Sequence, residues 1–167
     1  MAHGIEQHLG EIHPFLDKAF NNLHNSNIHV DDYPLDHICY RVETDERYRE
    51  LKTIIAWFWE LLSETLISGR PIATFKLKDP ILYNNRENYC IELPAPKKNS
   101  AYKEWFEHIA FVIDTKFENF LEKNKEIDFN KDSMNKEINP EIEIKYDWLW
   151  VNFHIHALEY VIKYLDR

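Results

Sequence analysis

Residues 35–42, "LDHICYRV", form an apolar run that carries a histidine, a cysteine and an arginine at alternating positions. Residues 106–113, "FEHIAFVI", repeat the order acidic, His, Ile, small, aromatic, so that His108 follows His37 by 71 residues. Short apolar runs rich in β-branched and aromatic residues are typical of buried strands. The repetition predicts that one module was duplicated and that its two copies pair around a shared centre.

The residues around these two strands predict the rest of each module. Residues 35–96 fit the order β-α-β-β-β, with a helix over 44–64 for which Thr44 is the predicted N-cap. Residues 105–165 fit the order β-α-β-β, with room for one further strand. The last part of this second module begins as a strand and ends at helical spacing.

A helical extension is predicted before the first module. Residues 5–23 place apolar side chains at alternating steps of four and three, which is the spacing of an amphipathic helix. Proline lacks the helical N–H, so we predict a short helix and then a second helix that starts at Pro14. The predicted unit is a single domain that comprises residues 1–167, with the extension at 1–30 and the modules at 35–96 and 105–165.

Composition excludes several classes of function. The chain has 167 residues and a formal net charge of −9, which disfavours nucleic acid as a partner. No apolar run approaches the roughly 20 residues that span a bilayer, and the first residues lack the pattern of a signal peptide. Two cysteines, Cys39 and Cys90, are too few for a disulfide framework, so the expected compartment is the cytoplasm.

Strand alternation brings several metal-binding residue types onto shared faces, because residues two apart in a strand point the same way. We expect four of them, His37, Glu92, His108 and His154, to converge if the modules form one curved sheet. Imidazole and carboxylate are ligands for Zn, Fe, Ni and Mn, so the predicted cofactor is a divalent metal ion. The residues that share faces are His37 with Cys39 and Arg41, Cys90 with Glu92, His108 with Ala110, and Asn152 with His154 and His156.

The chain resembles the YecM family, within the vicinal oxygen chelate superfamily of glyoxalases, bleomycin-resistance proteins and extradiol dioxygenases. The residues that carry the resemblance are "DHICYRV", "ELLSETLISGRPIATFKL", "IELPAPK", "EWFEHIAFVI" and "VNFHIHALEYVI". The resemblance implies an α+β fold in which paired βαβββ modules form a cupped mixed sheet with flanking helices. It also implies metal ligands on the first and last strands of each module, at His37, Glu92, His108 and His154. The commonest family pattern has a carboxylate at the fourth position, so His156 and Glu159 remain alternatives to His154 there.

Three functions are compatible with this pattern. The first is a metal-dependent isomerase, lyase or dioxygenase for a small oxygen-bearing substrate, with Arg41 and Arg70 as candidates for holding an anionic group. The second is a non-catalytic module that binds a small ligand, as in bleomycin-resistance proteins, although the tryptophans of residues 54–62 are predicted to be mostly core. The third is a metal-stabilised structural protein. For all three functions, the chain is expected to be a monomer or a homodimer.

Overall fold

The N-terminal extension forms two helices on one side of the sheet. The structure is a computed structural model that describes residues 3–99 and 101–165. Helix α1 spans Glu6–Leu9 and helix α2 spans Ile12–Asn25. The prediction that the second helix starts at Pro14 was wrong by two residues, because proline is tolerated in the first turn, where its missing N–H has no helical acceptor.

The first module has the predicted order of elements, but its helix is shorter than predicted. Thr44 is confirmed as the N-cap, since its Oγ1 accepts the Arg47 N–H at 3.1 Å. The helix ends at Phe58 because Trp59 adopts extended backbone angles, and the next residues pair with a neighbouring strand instead. The elements are β1 Leu35–Arg41, α3 Asp45–Phe58, β2 Glu60–Ile67, β3 Arg70–Tyr83 and β4 Arg86–Pro94.

The second module has one strand fewer than the first. Where a further strand would lie, the polar, turn-rich segment 124–140 makes a single isolated β-bridge, between Asn130 and Glu143. The module ends in one helical turn and a short π-helix. The elements are β5 Trp105–Val112, α4 Phe117–Lys123, β6 Glu141–Tyr146, β7 Leu149–His154, α5 Leu158–Tyr160 and the π-helix Val161–Leu165.

All seven strands form one sheet in the order β2-β3-β4-β1-β5-β7-β6. Strand β1 is parallel to β4, β5 is parallel to β7, and β1 and β5 pair antiparallel at the centre. The central register places His37 opposite Ala110 and Cys39 opposite His108, so the two modules are related by an approximate two-fold axis between β1 and β5. The predicted mixed α+β sheet of paired modules is therefore confirmed.

Helices α2 and α3 cover one face of this sheet, and the other face carries the polar side chains His37, Glu92 and His108. Helix α2 packs Phe15 against Phe106 and Phe20 against Phe111, with ring centroids 5.1 and 5.6 Å apart. Helix α3 packs against β3 and β4. The prediction that the tryptophans near its end are core was wrong for Trp57, which is 78% exposed. Within residues 3–99 and 101–165, no helix is long and apolar enough to cross a membrane.

Candidate metal centre

Two β-bulges place an acidic residue beside each repeated histidine. Two residues of β1, Asp36 and His37, lie opposite Ala110 of β5, and two residues of β5, Glu107 and His108, lie opposite Cys39 of β1. In a regular strand each acid would point away from the histidine that follows it. A bulge inserts one extra residue and redirects its side chain, so both acids lie beside their histidines.

Asp36 fixes the ring of His37. Its Oδ2 accepts a hydrogen bond from His37 Nδ1 at 2.8 Å, and both of its carboxylate oxygens accept the Leu158 N–H, at 3.2 and 3.0 Å. The side chains of Asp36 and His37 are 7% and 3% exposed. Because the Nδ1 proton is committed to Asp36, the Nε2 atom of His37 is left to face the polar side of the sheet.

Glu107 occupies the equivalent place beside His108 but has different partners. Its Oε2 lies 3.8 Å from His108 Nδ1 and accepts the Cys39 thiol at 3.8 Å. Its Oε1 accepts Arg41 Nη1 at 3.2 Å, and the Arg41 guanidinium lies 4.5 Å over the Tyr102 ring. Glu107 therefore links the second histidine to the arginine of the "LDHICYRV" strand.

Both imidazoles converge on one oxygen of Glu92. His37 Nε2 and His108 Nε2 each lie 3.6 Å from Glu92 Oε2, and the three ligand atoms lie within 4.8 Å of one another. At 3.6 Å neither contact is a hydrogen bond. Two donors held about 2.1 Å from one Zn²⁺ at a tetrahedral angle are themselves about 3.4 Å apart. The donor types and their separations therefore fit a divalent cation, and we call these three residues the candidate metal centre.

The electrostatics of the centre keep Glu92 ionised although it is buried. Burial alone would raise the pKa of Glu92, but its interactions with His37 and His108, and a smaller one with His154, outweigh burial and lower that pKa to about 2. Burial alone would lower the pKa of His108, but the neighbouring acidic groups, Cys39, Glu107 and Glu92, raise it well above its ordinary value. A buried carboxylate that stays ionised needs positive charge beside it. Divalent metal ions can supply that charge.

Strand β7 places two further donors on the same face, His154 and Asn152. His154 Nε2 lies 3.6 Å from Glu141 Oε2 without a hydrogen bond, and both of its ring nitrogens are buried without a partner. Asn152 Nδ2 donates to Glu141 Oε2 at 3.1 Å, whereas the Asn152 Oδ1 is buried and unpaired. Buried polar atoms without partners are rare in folded proteins, so both side chains are candidates for holding a ligand.

The register distinguishes between these two donors. Glu92 lies opposite Cys39 in the first module, and Asn152 lies opposite Ala110 in the second. Since Cys39 and Ala110 are equivalent in the repeat, Asn152 occupies the position equivalent to Glu92. His154 lies two residues further along β7, with its ring centroid 5.6 Å from that of His37.

The pH dependence of stability should report on His154. Burial, with a smaller contribution from His37, lowers the pKa of His154 from 6.5 to about 4. Between these values the unfolded chain binds more protons than the folded chain, so stability rises with pH. We expect His154 to contribute about 3 kcal/mol to this rise in metal-free protein. Urea unfolding at pH 4–7 should show that His154→Gln removes this contribution, whereas exposed His24→Gln should leave it intact.

Other predicted site residues lie outside the candidate metal centre. His156 is exposed in the turn after β7 and contacts the Tyr160 ring, and Glu159 is helical and pairs with Lys76 at 2.7 Å. Arg41 lies beside the centre through Glu107, whereas Arg70 donates to the Ala95 carbonyl at 2.9 Å. Neither arginine is left as an uncommitted cation facing the centre.

Sequence reasoning did not identify Asp36, Glu107 or Glu141 as parts of the site. The sequence does contain a signal for Asp36 and Glu107, because each of them directly precedes one of the two repeated histidines. Strict strand alternation assigns those acids to the opposite face, and only the bulges reverse that assignment. No comparable signal marks Glu141, which reaches the site through its pairing with His154 across β6 and β7.

Comparison with known proteins identifies related sequences. The family model described as YecM protein matches residues 5–164. Protein YecM of Escherichia coli (strain K12) is 38% identical over 81 residues, which cover 47% of this chain and 42% of that protein. An uncharacterized protein of Haemophilus influenzae is 29% identical over 86 residues, which cover 52% of this chain and 45% of that protein. The chain thus matches less than half the length of these curated relatives.

Comparison with solved structures identifies the fold. A structural-genomics protein named EC4020 has a TM-score of 0.74 and 22% identity, with 90% of this chain and 87% of that chain covered. Methylmalonyl-CoA epimerase of Streptomyces coelicolor has a TM-score of 0.53 and 15% identity, with 75% of this chain and 95% of that chain covered. At these identities the likeness shows a shared fold, the vicinal oxygen chelate fold. It does not extend to activity.

Proposed function

The chain belongs to the YecM family, and on that premise we propose that it binds one divalent metal ion and acts on a small oxygen-bearing substrate. His37, Glu92 and His108 would hold the ion together with a donor from β7. That donor is His154 as predicted from the sequence, or Asn152 as the register favours. An oxygen donor at Asn152 would make the two halves of the centre more alike, with imidazole from each first strand and oxygen from each last strand.

One observation supports the proposal above all others. Two imidazole Nε2 atoms face the same carboxylate oxygen at 3.6 Å without a hydrogen bond between them. Since Asp36 accepts the Nδ1 proton of His37, Nε2 is the ring nitrogen that is left to bind an ion beside Glu92. A divalent cation between the Nε2 atoms and the carboxylate oxygen would be attracted to the carboxylate and would accept the imidazole lone pairs.

The accessibility of the centre favours a reactive site over a closed structural one. The side chains of Glu92 and His108 are each 15% exposed, whereas those of His37 and His154 are 3% exposed. A substrate would therefore approach from the side of Glu92 and His108. A divalent ion with an open position would polarise a carbonyl or carboxylate oxygen of that substrate.

Proton transfer next to such an oxygen is the reaction class that we favour. Glu143 pairs with Asn152 across β6 and β7, is partly buried, and accepts Asn130 Nδ2 at 2.8 Å. Burial and the charge of Glu141 raise the pKa of Glu143, which suits a carboxylate that takes up and returns a proton. The structural relative methylmalonyl-CoA epimerase has an isomerase name, and this supports an isomerase more than it supports a dioxygenase.

The substrate contacts of Arg41 and Arg70, the compartment and the oligomeric state are also part of this proposal. Arg41 would contact an anionic substrate only by giving up part of its pairing with Glu107. Arg70 would do so only by leaving the Ala95 carbonyl. We place the protein in the cytoplasm, in agreement with two buried free cysteines, Cys39 and Cys90, and expect it to act as a monomer or homodimer on a small molecule.

Metal analysis tests the proposal. We expect wild-type protein, purified without a histidine tag, to contain about one equivalent of Zn, Fe, Ni or Mn by mass spectrometry. The double variant His37→Ala, His108→Ala should contain almost none, because it loses two of the three convergent donors. The double variant His24→Ala, His29→Ala removes two exposed histidines and should keep the wild-type content.

Two further variants in the same experiment assign the donor from β7. Asn152→Ala should weaken metal binding more than His154→Ala if the register identifies the donor, and the opposite order would restore His154. Metal in the double variant equal to that in wild type, or none in either protein after reconstitution, would refute the centre. Tight small-ligand binding by metal-free protein would then favour the non-catalytic binding module.

A further inference from the structure

We propose that Asp36 couples the candidate metal centre to residues 157–165, the C-terminal strap, so that metal binding orders the strap. This inference rests on the proposed function, because it requires a cation at His37. The strap follows β7 of the second module and runs across the polar face of the first. It comprises the helical turn α5 and the π-helix after it.

Asp36 holds both the histidine and the strap with the same oxygen. Its Oδ2 accepts His37 Nδ1 at 2.8 Å and the Leu158 N–H at 3.0 Å. The Leu158 N–H is the first donor of the helical turn, and its nearest acceptors are the two Asp36 oxygens. Because Asp36 is nearly buried, both bonds lie in a region of low dielectric, where hydrogen bonds are stronger.

The other contacts of the strap show where it lies. Leu158 is 6% exposed and Val161 is 3% exposed, so the strap packs against the protein through these two side chains. Glu159 pairs with Lys76 of β3 at 2.7 Å, and Lys76 lies opposite Cys90, which lies opposite His37. The strap therefore crosses the polar face from β7 over β1 to β3 and lies beside His37.

Asp36 is a stronger polar anchor of the strap than Lys76. The side chains of Lys76 and Glu159 are 38% and 43% exposed, and exposed ion pairs contribute little stability. A cation at His37 Nε2 withdraws electron density from the ring, which makes the Nδ1–H a stronger donor to Asp36. The Asp36 carboxylate is then held more firmly in the orientation in which it accepts the Leu158 N–H.

The two-fold repeat supplies a matched control for this coupling. Glu107 stands in the same relation to His108 as Asp36 does to His37, in an equivalent bulge. Its described partners are His108, Cys39 and Arg41, and none of these belongs to the strap. Removing the charge of Glu107 should therefore weaken the centre without loosening the strap.

Amide hydrogen exchange of the strap tests the proposal, with Zn²⁺ alone as the probe. In wild-type protein, we expect the Leu158 amide to be protected and one equivalent of Zn²⁺ to slow its exchange by about 10-fold or more. Asp36→Asn should abolish that protection with and without Zn²⁺. Glu107→Gln should keep the wild-type protection in metal-free protein. Both variants should bind Zn²⁺ about 10- to 100-fold more weakly, as substitutions of groups that orient ligands do.

A second variant removes the donor of the Leu158–Asp36 hydrogen bond instead of its acceptor, in case Asp36→Asn does not fold. Leu158→Pro deletes the N–H and leaves Asp36 and His37 in place. Ala157, at φ −61° and ψ 144°, already has the extended backbone that precedes proline. Coupling is reciprocal: if Zn²⁺ binding stabilises the strap, the bound strap must stabilise Zn²⁺ binding equally. Leu158→Pro should therefore weaken Zn²⁺ binding by the same factor by which Zn²⁺ slows amide exchange of the strap in wild-type protein.

The possible results separate this inference from the proposed function. Normal Zn²⁺ binding with unchanged exchange of the strap would overturn the coupling and leave the centre intact. Equal protection of Leu158 in Asp36→Asn and Glu107→Gln would also overturn it, because Asp36 would then be no anchor. Failure of wild-type protein to bind Zn²⁺ or any other divalent ion would refute the centre, and the coupling with it.

Discussion

Glu92→Gln should lower the affinity of the protein for its divalent ion by more than about 100-fold, the upper end of what substitutions of ligand-orienting groups cost. The two imidazoles share one oxygen of Glu92 at 3.6 Å, so this side chain is the common element of the centre. The amide keeps the volume of the carboxylate but removes its charge. Titration of metal-free protein with Zn²⁺ by calorimetry would measure the change.

An exposed glutamate on the same strand is the control. Glu87→Gln makes the same chemical change on β4, at a side chain whose described contact is Tyr89 Oη at 3.0 Å. Its affinity for Zn²⁺ should match that of wild type. Circular dichroism should show that both variants keep their secondary structure. An unchanged affinity in Glu92→Gln would contradict the assignment of Glu92 as a ligand.

Phe153→Ala should lower the free energy of unfolding by about 3–5 kcal/mol, the usual cost of deleting a buried phenylalanine ring. Phe153 is fully buried and lies with its ring centroid 4.7 Å from that of Phe120 of α4. It also contacts Phe111 and Phe129, both with centroids 5.9 Å away. For a chain of this size such a loss lowers Tm by about 10 °C. Thermal unfolding followed by circular dichroism would measure it.

The same variant should affect the centre, since Phe153 lies between Asn152 and His154 on β7. Its ring holds one face of the strand against α4, while its two neighbours face the centre. Phe58→Ala is the control, because Phe58 is 52% exposed and its loss should change the free energy of unfolding by less than about 0.5 kcal/mol. Similar Tm values for the two variants would show that β7 is not held by this aromatic packing.

Local sequence signals predicted the features that depend on contacts within a few residues of chain. The cap at Thr44 is such a case, because the Ser/Thr N-cap bond forms within a few residues of chain. The end of helix α3 was predicted too late because residues 60–67 carry apolar side chains that suit a helix or a strand. Pairing with β3 decided that segment, and pairing lies outside the local sequence.

The duplicated module and the placing of His37 and His108 on equivalent strands can be predicted from the amino-acid pattern without the structure. These follow from hydrophobic periodicity and from a repeated pattern, which are properties of contiguous residues. Tertiary structure alone decided that Asp36 and Glu107 join the histidines, that Asn152 lies opposite Ala110, and that the strap meets Asp36. Each of these depends on bulges and on the register between β1, β5 and β7, because strand register is set by pairing across the sheet and a shift of one residue reverses the face of every side chain.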